Sequence, residues 1–475
     1  MSASWPHDVD VLDVVGDWIR SQRWFPAGDL DPMEVVANID LSADSAPQGW
    51  DPTLPLDPVW VSLVRVGHQV LQVPLVLTCT VPEGGRGVIA RIGDSWVVDG
   101  PQHPAFLRAW ARRAVADVGE GDPDPRPGLL AQAEQARVMT GEQSNSSVVF
   151  TGDPAAVLKV YRVISQGTHP DLEVPLALTR SGWDHVPAPL AHTALAMTPA
   201  MGGDPSHPAP AVTGLAARLV PGATDGFDLF VSMARDHLDP GAHARELGRV
   251  TAQMHARLAE AFGEGAPAVG STLAERVRVN LEASAAEVRE LHPLVADLES
   301  LLVPVADLEQ LPPTIRIHGD YHLGQTLYAD GFWYVLDFEG EPLRPLEDRR
   351  RMDLSMRDVA GMLRSFDYAA AQATRITAHS RPALEDTAEM PVVNASAPTP
   401  SAVLDEEWAR TARESFIAGY TDDHGLEAPL ALVLRALVIE KAAYEVVYEH
   451  RLRPSWLGIP LSALVALAGQ AHTGN

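Results

Sequence analysis

Two acids stand out by what surrounds them: Asp320 in Ile317-His318-Gly319-Asp320-Tyr321-His322-Leu323-Gly324-Gln325, and Asp337 in Val335-Leu336-Asp337-Phe338-Glu339. They lie 17 positions apart, each where an apolar run gives way to polar residues, and Gln325 follows Asp320 by five. Phosphoryl transfer needs such a set. One carboxylate accepts the proton of an attacking hydroxyl, while an amide oxygen and a second carboxylate hold magnesium against phosphates. A lone His-Gly-Asp carries little weight; with the amide and the strand-ending Asp-Phe in order, every part of that template is present. Asp320 is expected on a Gly-containing turn after a strand over Thr314–Ile317. His318 is expected to brace that turn, and His322, two residues after Asp320, to face the acceptor.

The phosphates would need their own partners. Thr140-Gly141-Glu142-Gln143-Ser144-Asn145-Ser146-Ser147 is a small polar turn running into the β-branched Val148-Val149-Phe150. Open backbone amides around Ser144, Asn145, Ser146 and Ser147 suit phosphate oxygens, although a plain hairpin uses the same residue types. One hairpin later, Ala156-Val157-Leu158-Lys159-Val160-Tyr161 alternates like a strand and carries a lysine. A strand lysine is often only a solvated edge residue. Behind such a turn it suits a nucleotide's phosphates. Glu173, at the start of the next helix, is the expected partner of the Lys159 ammonium, with Glu142 and Glu134 as competitors. No Gly-x4-Gly-Lys-Ser/Thr occurs, which disfavours a P-loop nucleotide site.

Only two lysines, Lys159 and Lys441, stand against 34 arginines. Lys441 opens a helical stretch with Tyr444, Glu445 and Tyr448, and Trp456 follows. Lys441, Glu445 and Tyr448 recur at i, i+4 and i+7, one stripe of a helix. An isolated helix would use it as a solvated ion pair. With flanking aromatics, the stripe is expected to bind a hydroxyl-rich sugar.

The elements that must carry these groups divide the chain into a cap at 1–97, a nucleotide-binding segment at 98–220 and a helical part at 221–475. The cap reads as a helix (Val11 to Gln22) plus an antiparallel sheet with strands at 59–66, 69–77 and 96–98. In the middle segment, 104–118 and 171–181 read as helices and 138–163 as two strands. Beyond Pro221, helical periodicity dominates at 242–262, 274–291, 353–371 and 430–451. Residues 379–402, rich in Ala, Pro, Ser and Thr, read as a mobile loop.

The 475 residues suffice for two or three domains, and 46% hydrophobic with 21% charged residues is an ordinary globular balance. A formal charge of −27 disfavours nucleic acid and anionic membranes as partners. No apolar run reaches the roughly 18–20 residues of a membrane span, and the start lacks a secretory pattern, so a cytoplasmic protein is expected. The single Cys79 excludes an intrachain disulfide and a cysteine zinc cluster.

The chain resembles the actinobacterial maltokinases. The resemblance rests on His318–Gln325, Leu336-Asp337-Phe338-Glu339-Gly340-Glu341-Pro342, Tyr444–Glu449, Gln22-Arg23-Trp24-Phe25, Glu142–Ser147, Pro221–Gly226 and Arg453–Leu461. It implies an α+β, bilobal protein-kinase-like fold related to the aminoglycoside phosphotransferases. An N-terminal α/β cap, a β-containing N-lobe and a mainly helical C-lobe belong to it. It also implies ATP and Mg2+, and phosphorylation of maltose at its anomeric hydroxyl for α-glucan synthesis from trehalose-derived maltose. Under it, Asp320 is the base, Gln325 and Asp337 hold magnesium, and Lys159 meets the phosphates. Adenine would sit at a hinge over Ala216–Val220, including Leu219 and Val220. Glu339 joins the substrate group with His322, Lys441, Tyr444, Glu445, Tyr448 and Trp456. The hinge reads Ala-Arg-Leu where the family usually carries Gln-Glu-Phe. Two rivals stand beside maltose: a kinase of glucosamine or an aminoglycoside with the same fold, and a catalytically silent partner subunit of trehalose synthase.

Overall fold

The computed structural model describes residues 9–25, 31–47, 49, 56–139, 145–206, 208–340, 346–380 and 400–472. It divides into two compact units, 1–180 with 187–220, and 181–186 with 221–475.

In the first unit, α1 (Val11–Ser21) starts at Asp10, whose carboxylate accepts from the Leu12 N–H at 2.9 Å. Val11, Val15 and Ile19 recur on one face and are buried. They pack on a sheet of β1 (Met33–Asp40), β2 (Val59–Val66), β3 (Gln69–Thr78), β4 (Val88–Ile92) and β5 (Ser95–Asp99), in the order β1-β2-β3-β5-β4. Alternation along β2 divides the core. Val64 and Val66 join the α1 cluster, while Val59, Val61 and Leu63 face a second cluster on the other side. Each such side chain, fully buried, stabilises by roughly 1.5–3 kcal/mol.

That second cluster lies between the sheet, α2 (Pro104–Arg113) and a second antiparallel sheet. The short β6 (Val115–Ala116) follows α2, so the helix expected to reach 118 ends at Arg113. After α3 (Arg126–Ala131) come β7 (Arg137–Val138), β8 (Ser146–Phe150), β9 (Ala156–Val160), β10 (Val163–Ile164), α4 (Pro170–Arg180), β11 (Pro189–Ala196) and β12 (Pro210–Arg218). The second sheet runs β6-β11-β12-β9-β8-β7, and β10 leaves it to pair with β3 of the first.

In the second unit, β13 (Thr224–Asp225) leads to α5 (Gly226–Arg235), α6 (Gly241–Phe262), β14 (Glu264–Pro267), α7 (Gly270–Glu287), α8 (Val295–Ser300) and α9 (Val303–Ala306). Then follow β15 (Pro313–Ile315), β16 (Thr326–Ala329), β17 (Phe332–Val335), α10 (Leu346–Arg349), α11 (Met356–Ser380), α12 (Pro400–Tyr420), α13 (Ala428–Leu452) and α14 (Gly458–Ala471). The ends of the expected loop at 379–402 are helical, and 381–399 lies outside the described residues. Two glycines seat α12 on α6. A Cβ at Gly248 would meet the Phe416 carbonyl oxygen at 2.0 Å, and the backbones touch where Ala would not fit. Among the described residues no helix is long and apolar enough to cross a membrane.

Candidate functional site

In the first unit, β9 presents Lys159, whose ammonium donates to Asp171 Oδ2 at 2.8 Å. The Tyr161 hydroxyl donates to the same oxygen at 3.0 Å. The partner expected from sequence was Glu173; the carboxylate found on Lys159 is Asp171, in the first turn of α4. The competitor Glu134 pairs with Arg108 instead, and Glu142 lies outside the described residues. So does Ser144. Asn145 precedes β8, Ser146 and Ser147 open it, and Ser147 pairs in register with Lys159. Leu219 and Val220 follow β12, where the Leu219 N–H donates to the Ala155 carbonyl at 3.0 Å.

In the second unit, two loops are stitched together. His318 Nδ1 receives the Asp320 N–H at 3.4 Å, which leaves Nε2–H to donate to the Leu336 carbonyl at 2.8 Å. The Leu336 N–H in turn donates to the Gln325 carbonyl at 2.8 Å. The backbones flanking Asp320, Gln325 and Asp337 are therefore joined by direct bonds, and the bracing role expected of His318 is what its ring performs. Gly319 (φ 86°) and Gly340 (φ 69°) let the loops close up. A Cβ on Gly319 would lie 3.5 Å from the Gly340 Cα. Asp337 itself holds φ 60°, a left-handed conformation that Asp tolerates better than most residues. Strain of this kind collects at functional sites. An oxygen of Asp337 lies within 4.8 Å of one of Glu339.

One helix face moulds the Asp320 loop, and sequence reasoning missed it. Asp358 on α11, fully buried, accepts the His318 N–H at 2.8 Å and the Gly319 N–H at 2.9 Å. His255 Nε2 is 3.1 Å from the same carboxylate, and its Nδ1 is 2.9 Å from the Tyr420 hydroxyl. One turn on, a Cβ at Gly361 would meet the Tyr321 carbonyl oxygen at 2.5 Å. A further turn on, Ser365 Oγ accepts the Leu323 N–H at 3.0 Å. Positions 358, 361 and 365 form one ridge of the helix, so a single rigid element sets three points of the loop. Burial pushes the Asp358 carboxyl up. The hydrogen bond and charge of His255, then His318 and the Gly319 N–H, outweigh it and hold the group below the usual range.

Lys441 Nζ lies 3.8 Å from Asp320 Oδ1 and 5.5 Å from the Tyr444 ring centroid. His322 shares this environment, its Nδ1 accepting the Gly324 N–H at 3.1 Å. Burial lowers the His322 pKa; Asp320 opposes, Lys441 and His318 lower it further, and Asp337 opposes. Burial thus favours the neutral form of the His322 imidazole, which feels the charges of Asp320, Asp337 and Lys441.

The expected stripe on α13 is only partly formed. Tyr444 and Tyr448 are exposed, with ring centroids 6.4 Å apart and planes inclined by 28°. Glu445 does not join them. It is buried and accepts from Arg364 Nε at 2.9 Å, so its carboxylate balances a buried guanidinium. Trp456 stacks on Tyr368 at 6.1 Å, with the guanidinium groups of Arg375 and Arg453 at 4.8 and 5.0 Å from its ring. Its ring is already engaged by the protein.

An amide oxygen and a carboxylate are the hard oxygen donors that magnesium takes, and Gln325 and Asp337 are residues of that chemistry on loops joined by the Leu336 N–H to Gln325 carbonyl bond.

Residues 135–340 match the phosphotransferase enzyme family. The glucosamine kinase of Streptacidiphilus jiangxiensis is 31% identical over 388 residues, covering 75% of this chain and 80% of that protein. The glucosamine kinase of Mycolicibacterium smegmatis (strain ATCC 700084 / mc(2)155) is 28% identical over 361 residues, 71% of this chain and 82% of that one. A solved glucosamine kinase in complex with glucosamine, ADP and inorganic phosphate superposes with a TM-score of 0.60 at 22% identity, covering 98% of this chain and 100% of that one. The mixed fold is thus the kinase-like one expected from sequence. With the joined Asp320 and Asp337 loops and the strand-borne Lys159, these likenesses show that the chain belongs to the phosphotransferase enzyme family.

Proposed function

We propose that the chain is an ATP- and Mg2+-dependent sugar kinase whose acceptor is an amino sugar, glucosamine. The observation that carries this reading is the 31% identity to a glucosamine kinase across 80% of its length. In this reading Asp320 accepts the proton of the attacking hydroxyl late in the transfer. His322, neutral and beside it, orients the hydroxyl. Lys159, held by Asp171, meets the phosphates. Gln325 and Asp337 would hold the metal, which supplies charge neutralisation at the phosphates when bound. The α11 ridge keeps Asp320 in place without touching the reactants.

Maltose, phosphorylated at its anomeric hydroxyl, is the second reading. It is favoured by the exposed Tyr444–Tyr448 pair, broad enough for a second sugar ring, and by Lys441 beside Asp320, since an ammonium repels a cationic acceptor. A coupled assay with MgATP and a panel of glucosamine, maltose, glucose and kanamycin separates them. Glucosamine is expected to give the highest kcat/KM. A higher value for maltose would install the second reading, and no turnover with any sugar would leave a binding module.

A further inference from the structure

The N-terminal sheet ends on a charged group that the proposed chemistry does not use. Asp99, the last residue of β5, is buried, and both its oxygens accept from Arg162 Nη2, at 2.8 and 2.7 Å. Arg162 is 1% exposed and sits three residues after Lys159. Its Nε and Nη2 also donate to Ser146 Oγ at 2.9 and 2.7 Å, and its backbone N–H reaches Asn145 Oδ1 at 3.4 Å. The Trp24 ring lies 5.0 Å from the guanidinium carbon. One buried cation thus joins the N-terminal sheet, through Asp99 at the end of β5, and Trp24 to Asn145 and Ser146 at the start of β8.

The strand that carries Lys159 is tied to the same sheet. The Gln72 N–H donates to the Arg162 carbonyl at 2.7 Å, and Gln72 Nε2 donates to the carbonyls of Tyr161 and Thr213, both at 2.8 Å. Val163 and Ile164 then pair with Leu71 and Val70. Both strands of the β8–β9 hairpin therefore receive their positions from β3 and β5.

We infer that the N-terminal sheet is a positioning element for the nucleotide, with the Asp99–Arg162 pair as the anchor that sets Asn145, Ser146 and Lys159 in place. The inference rests on the reading of these three residues as the nucleotide side. Asp99 and Arg162 touch no reactant in it; they act through the hairpin. A fixed scaffold removes freedom that binding would otherwise have to remove, so loosening it weakens nucleotide binding selectively.

The test uses the full chain. Asp99→Asn removes the charge and leaves Arg162 buried without its counter-ion, which can compromise folding. The double variant Asp99→Asn/Arg162→Gln replaces the whole pair by neutral groups and decides the question if the single variant does not fold. In a folded variant KM for ATP is expected to rise on the order of tenfold, as displaced positioning groups do, while KM for the sugar stays within about twofold. Amide exchange at Ser146–Phe150 is expected to quicken without nucleotide. An unchanged KM for ATP, or equal rises for ATP and sugar, would overturn the inference. If the wild-type chain does not bind ATP by calorimetry, the proposed function falls by itself, and exchange at Ser146–Phe150 decides the anchor: unchanged rates remove it.

Discussion

Asp320 is set between an ammonium and a neutral imidazole, and its neighbours make its own role separable. Asp320→Asn keeps the side chain's shape, so Kd for ATP is expected to stay within about twofold while kcat falls by roughly 10²–10⁴, the usual contribution of a positioned base. Equilibrium titration and single-turnover rates would show both. His322 gives a pH signature. Its pKa is lowered from the ordinary 6.5 by burial, so below that value the unfolded chain takes up the proton that the folded chain resists. Stability is therefore whole above about pH 6.5 and falls as the pH drops through the window beneath it. In urea titrations from pH 7 to 5, His322→Gln is expected to lose stability less steeply than the wild type. The groups proposed to perform chemistry stood out in the sequence because chemistry restricts residue type: Asp320, Gln325, Asp337 and Lys159 were all singled out there. Their supports were not. Asp171 and Glu173 are both acids in one helical turn, and nothing in their sequence spacing marks Asp171 as the carboxylate that meets Lys159 at 2.8 Å. Glu445 looked like part of an exposed stripe because Arg364, its partner, lies 81 positions away.

At the scale of elements, helix faces act through what they lack. Gly361 and Gly419 lie inside helices, where Ala is normally favoured by roughly 0.5–1 kcal/mol. Here the sign should invert. A Cβ at Gly419 would come within 1.9 Å of the Arg245 carbonyl oxygen, and one at Gly361 within 2.5 Å of the Tyr321 carbonyl oxygen. Each Ala variant is expected to lose about 1–3 kcal/mol in urea unfolding, the range for overpacking. The two then diverge. Gly361→Ala displaces the loop that carries Asp320 and should lower kcat even where the protein is folded, whereas Gly419→Ala should leave kcat intact. Equal kcat losses in both would refute the moulding role given to α11. Long periodic helices were readable from sequence, because 3.6-residue spacing survives without tertiary context. The strands β1 and β4, and the helices α5, α12 and α14, were not, since short or weakly patterned segments take their identity from what they pack against.

The whole molecule carries a formal charge of −27, and a nucleotide with its magnesium is still an anion. Approach is opposed by the surface at large and aided only by local cations. Salt screens the long-range part first. The kcat/KM for ATP is therefore expected to rise, rather than fall, between about 10 and 150 mM salt, as stopped-flow or steady-state measurements would show. A falling value would mean that local positive charge dominates the encounter. Scarcity of one residue type has another outcome. Lys159 and Lys441 are the chain's complete set of side-chain amines, each lies beside an acid, and neither is fully covered. An amine-directed acylating reagent becomes a two-channel occupancy probe. Peptide mass mapping should find nucleotide protecting 159, acceptor protecting 441, and the α-amino group as the internal standard.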